Sequence, residues 1–144
     1  MSTTTITKAK NFDVETITYG EPQINARGGK SIKIMSGGRA INLQFPITFT
    51  WGVNKWEGDN GAPDKFDMSL QFDKSNISSK KFLDAMVALQ SKLITDSVTN
   101  SSKWFGRKKI IPEVAEAMWW PMVKYRKDKN TGESDTSRAP TLKV

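Results

Sequence analysis

The sequence predicts an α+β fold, mostly antiparallel β, with one long and one short inserted helix. Three observations carry that reading. Short runs of alternating apolar and polar residues, separated by Gly and Pro turns, fill the first half of the chain. One stripe at helical spacing follows them, Phe82, Met86, Leu89 and Leu93. Alternation then returns near the end. At 144 residues the chain is long enough for one domain with a buried core.

In order, residues 14–19 read as a strand that stops at Gly20-Glu21-Pro22. Residues 31–35 and 40–45 are two short alternating runs, and Ser36-Gly37-Gly38 between them is a natural hairpin turn. Pro46 interrupts, so residues 47–51 begin a new strand or continue past a bulge at a sheet edge. Residues 57–64, rich in Gly, Asp and Asn, form a loop. Phe66, Met68, Leu70 and Phe72 then share one face, with Asp67, Ser69 and Gln71 on the other. Ser78 or Ser79 caps a helix beginning at Lys80, whose stripe Leu83, Val87, Ile94 and Val98 broaden, so that it packs on a sheet. A shorter helix starts at Pro112, whose fixed φ suits a first turn, and ends before Pro121. Residues 122–127 return to strand, Lys129-Asn130-Thr131-Gly132 turns, and residues 141–144 start a last strand. The pattern fits an OB-like Greek-key barrel or an open sheet. Residues 1–11 read as a flexible N-terminal arm, and 12–144 as a single OB-like domain that lacks or shares its last strands. A strand ending the chain needs a partner, so another protein chain, or a second copy in a homo-oligomer, is expected at an open edge near Thr141 and Val144.

Composition excludes several chemistries. With neither Cys nor His, disulfides, histidine triads and Cys/His zinc sites cannot be built. Asp64, Asp67 and Asp73 fall close together, but two of them flank strand ends and read as solvated turn carboxylates. No catalytic residue, metal ligand or cofactor site is expected, and the protein is not read as an enzyme. No window reaches eighteen apolar residues, so no membrane partner is expected. The N-terminus lacks the order of a secretory signal, which fits an intracellular protein.

What remains is charge and aromaticity. The chain carries 22 Lys and Arg against 15 Asp and Glu, a net charge of +7. From residue 103 onward, basic residues alternate with rings: Lys103, Trp104, Phe105, Arg107, Lys108 and Lys109, then Trp119, Trp120, Lys124, Tyr125, Arg126 and Lys127. Basic groups neutralise phosphates and flat rings stack on unpaired bases, so this segment reads as a single-stranded nucleic-acid surface, or equally as core tryptophans beside solvated charges. On a strand, Lys124 and Arg126 share one face and Tyr125 the other. Trp119 and Trp120, adjacent on a helix, lie about 100° apart, so one of them is buried. Trp104 reads equally well as core. Lys55 and Trp56 are second-tier candidates, because Trp51 and Trp56 straddle residues 52–55, which read as an exposed loop between strands. Gly28-Gly29-Lys30 reads as a hairpin entry rather than a phosphate loop.

Several segments together resemble a family from the large nucleocytoplasmic DNA viruses, similar to phage-type replicative single-stranded DNA-binding proteins with an OB-fold. They include Tyr19-Gly20-Glu21-Pro22, Trp51-Gly52-Val53-Asn54-Lys55-Trp56 and Ser102-Lys103-Trp104-Phe105-Gly106. The most specific runs from Pro121-Met122-Val123-Lys124-Tyr125 to Ala139-Pro140-Thr141-Leu142-Lys143-Val144. The resemblance implies non-sequence-specific binding of single-stranded DNA in replication or recombination, within an infected cell or a virion. A non-enzymatic minor capsid or virion-assembly role is the alternative.

Overall fold

The alternation of residues 66–72 becomes the strand on which the fold is built. A computed structural model of the chain describes residues 5–106 and 109–144. Among them the elements run β1 (Thr7–Lys8), β2 (Ile17–Tyr19), β3 (Gln23–Ile24), β4 (Lys30–Ser31), β5 (Ile34–Ser36), β6 (Arg39–Ala40) and β7 (Leu43–Gln44). There follow β8 (Phe49–Trp56), β9 (Lys65–Gln71), α1 (Ile77–Thr99), α2 (Ser101–Phe105), α3 (Pro112–Met118), β10 (Val123–Lys124) and β11 (Thr141–Lys143). The fold is α+β, with mostly antiparallel pairing in open sheets and no closed barrel among the described residues. The largest sheet has the order β10-β11-β9-β8, and smaller ones are β2-β5-β6, β3-β4 and the parallel pair β1-β7.

The core is one layer of α1 on the inner face of that sheet. Phe82, Leu83, Met86, Leu89 and Leu93 are buried against Leu70, Phe72, Val123 and Leu142. The Phe72 and Phe82 rings lie 5.1 Å apart and tilted, and Phe72 is 1% exposed. The side chain of Gln90 ties the helix to β10, its Oε1 accepting from Met122 N–H at 2.8 Å. Val87, expected to broaden the stripe, is exposed.

Several expectations are corrected. Residues 14–16 form a 3₁₀ turn rather than strand, because Asp13 accepts from Glu15 N–H at 3.0 Å and Thr16 Oγ1 donates to the Asp13 carbonyl at 2.6 Å. The helix is capped by Asn76 and not by Ser78 or Ser79. Asn76 is extended and its side chain accepts from Ser79 N–H at 3.0 Å, while buried Ser79 Oγ accepts from Asp73 N–H at 2.8 Å. The expected N-terminal arm is docked from Thr7 onward: Thr7–Lys8 pairs with β7, and Ala9 has no exposure. The hairpin turn is as expected, Gly37 and Gly38 holding φ of 57° and 76° between paired Ser36 and Arg39.

The final strand is not an open edge. β11 pairs β10 on one side and β9 on the other, and Val144 exchanges both backbone bonds with Met68 at 2.9 Å. The partner chain expected at Thr141 to Val144 therefore has no free edge there, since β10 and β9 occupy both sides. The strand expected over residues 122–127 is cut to Val123–Lys124. Thr141, opposite Lys124, follows Pro140, which has no N–H to extend the ladder.

Replacing the cap by Asn76→Ala should lower stability by about 1 kcal/mol, seen as a lower denaturant midpoint at unchanged slope, while Ser78→Ala should leave it within about 0.5 kcal/mol.

Candidate nucleic-acid interface

With α1 on the inner face, the register of the large sheet decides what faces outward. Lys124 lies opposite Thr141, Thr141 opposite Gln71, and Gln71 opposite Phe49. A second row carries Lys143 and Ser69, and a third Asp67 with Asn54, then Lys65 with Trp56. Between Thr50 and Val53 the register shifts, and Gly52 takes φ 105°, a left-handed conformation that side chains avoid. The extra residue switches the alternation of β8. Phe49 before the bulge and Trp56 after it thus come to the same face. Trp51 packs edge-on against Phe49 with 5.2 Å between ring centroids. Phe49, Trp51 and Trp56 are 61%, 67% and 59% exposed.

Asp67 organises this face. Its carboxylate accepts from Asn54 Nδ2 at 3.1 Å, from Trp56 Nε1 at 2.7 Å and pairs with Lys143 Nζ at 3.2 Å. The Asn54 hydrogen bond, followed by those of Lys143 and Trp56 and by the Lys143 charge, holds the carboxyl below the usual range. The indole of Trp56 is thereby oriented while its ring stays in solvent.

The structure divides the residues singled out in the sequence. Trp120 is 79% exposed, and the Lys124 ammonium lies 4.7 Å from its ring centroid. Tyr125 is half-buried with Lys74 Nζ 5.9 Å from its ring, and Arg126 and Lys127 are exposed in the following hairpin. Lys124 lies in β10 and the other four flank it. At the opposite edge Lys55 and Trp56 lie within β8, not in a loop: the Gly52 bulge keeps the strand continuous, and Lys55 pairs with Asp64 at 3.1 Å.

Trp104 belongs to the interior. It is 7% exposed and meets Tyr19 edge-on at 4.7 Å. The Tyr19 hydroxyl donates to Asp96, and burial together with that carboxylate pushes its pKa above the usual tyrosine range. Lys103 pairs with Glu21 at 3.0 Å, and Lys109 is exposed beyond α2, off the sheet. Arg107 and Lys108 lie outside the described residues. Trp119 and Trp120 both follow α3 rather than lying on it; Trp119 is extended and half-buried against the core, so the helical spacing of about 100° does not apply to the pair.

Phe49, Trp51, Lys65 and Lys143 escaped the sequence reading. A glycine inside an otherwise aromatic strand, as at Gly52, is the signal of a bulge that would have found the first two. The two edges carrying rings are three strand spacings apart, about 14 Å. Among the described residues no group of three or more metal-ligating side chains occurs, and no helix is long and apolar enough to cross a membrane. The chain matches no protein-family model, no curated protein and no solved structure.

A carboxyl depressed by folding contributes stability that is present above its unfolded pKa of about 3.9 and lost as pH falls through the lower folded value. Asp67→Asn should therefore weaken the acid dependence of the unfolding midpoint below about pH 4. Coincident acid limbs for the wild type and the variant would show that Asp67 carries none of it.

Proposed function

We propose that the protein binds single-stranded DNA without sequence specificity, along the outer face of the four-stranded sheet. One observation carries the reading: three exposed rings, Phe49, Trp51 and Trp56, share a face whose far edge holds the Lys124–Trp120 pair, with Lys65 and Lys143 on the same side. Rings accept any base by stacking, and lysines meet the backbone charge without reading sequence. The net charge of +7 favours the encounter. Asp67 fits this role because it holds Trp56 in place before a base arrives, which reduces the ordering cost of binding. The same class of activity is implied by the resemblance to replicative single-stranded DNA-binding proteins. A free strand end at residues 141–144 would favour the virion-assembly alternative, and that end is paired on both sides.

Titration with oligo(dT) should quench tryptophan fluorescence saturably at low salt, with affinity falling linearly in log salt. Trp51→Ala should weaken binding by about 1–3 kcal/mol. Lys124→Ala should reduce the salt slope by about one. A flat titration at low salt refutes the proposal.

A further inference from the structure

We propose that β8 is a dimerisation edge, through which two copies join antiparallel to form one eight-stranded sheet. β8 is the outer strand of its sheet and, with eight residues, the longest in the protein among those described. Besides the ladder to β9, the only bond of its main chain among the described residues is from Gly52 N–H to Thr50 Oγ1, at 3.3 Å. Edges of this length are usually blunted by proline or by free lysine. β8 contains no proline, and its single charged residue, Lys55, is already neutralised by Asp64. The other edge of the sheet is unsuited to the same role, because β10 is two residues long.

The strand is complementary to itself. A two-fold axis between Gly52 and Val53 sets Phe49 against Trp56 of the second copy, Thr50 against Lys55, and Trp51 against Asn54. In a strand of unbroken alternation this register would bring opposite faces together. The bulge at Gly52 reverses the alternation midway, so both members of each pair lie on the same face. Ring would meet ring on the outer face, where cross-strand aromatic pairs are favourable.

The edge strand and its neighbour also carry exposed apolar side chains. Phe49, Trp51 and Trp56 on one face, and Val53 and Phe66 on the other, are all more than half exposed. At about 100 Å² or more for each ring, the hairpin leaves several hundred Å² of apolar surface in water. Edge pairing would cover the flanks of the β8 side chains and leave the outer faces of the rings in water. A second copy presents the same surface in the matching register, and its outer face would extend the platform proposed above.

The test needs no nucleic acid, so its outcome is independent of the DNA-binding proposal. Light scattering after size exclusion should give twice the chain mass for the wild type. Val53→Lys, at an exposed position, should give a folded monomer, because two ammonium groups would meet beside the axis. The chain has no cysteine, so the double variant Thr50→Cys/Lys55→Cys should oxidise to a covalent dimer. Those positions lie too far apart along one strand to bridge within a chain. Either single variant should remain uncrosslinked, since neither position faces itself across the axis. A wild type of single chain mass at every concentration overturns the proposal. So does a dimer that survives Val53→Lys, or crosslinking that is equal in the single variants.

Discussion

The rest of the structure depends on one apolar contact, the stripe of α1 pressed onto the inner face of β9 and β11. Phe82, Met86 and Leu89 meet Leu70, Phe72 and Leu142 there, all of them buried. Full burial of such side chains stabilises by about 1.5–3 kcal/mol each, whereas surface pairs such as Lys55 with Asp64 contribute about 0–1 kcal/mol. The helix layer therefore decides which way every strand of the large sheet faces. The ion pairs follow from that orientation and do not set it.

From this one-sided arrangement the candidate site follows. A sheet covered by a helix on one face leaves its alternate residues in solvent on the other. On β9 those are Asp67, Ser69 and Gln71, a polar row without much recognition chemistry. The aromatic character comes from β8, where one glycine bulge turns Trp56 to the same side as Phe49. Removing that extra residue would leave the composition almost unchanged and divide the rings between two faces.

Much of the architecture was legible in local pattern. The stripe on α1, the strand at residues 66–72, the Gly37-Gly38 turn and the helix beginning at Pro112 all follow from period, turn chemistry or fixed φ. Helix boundaries were less legible, because Asn76, Ser78 and Ser79 are all competent caps and only the backbone at Asn76 decides among them. Strand length was overread at residues 122–127, since the limit is set by Pro140 across the ladder and not by the segment itself. The basic-aromatic segment drew attention to residues 103–109, yet Trp104 is taken up by Tyr19 and Lys103 by Glu21, partners 85 and 82 residues away in the chain.

The sequence by itself determined the fold class, the apolar face of the long helix and the surplus of positive charge. Each of these is a property of composition or of a short repeating pattern. Only the tertiary structure decided which rings face water together and which strand lies at the edge. Those outcomes depend on pairing between distant segments: a register shift opposite Ser69 gathers the rings of β8, and β10 encloses the final strand that looked unfinished. Hydrogen bonds between strands, not the local preferences of either strand, set that register.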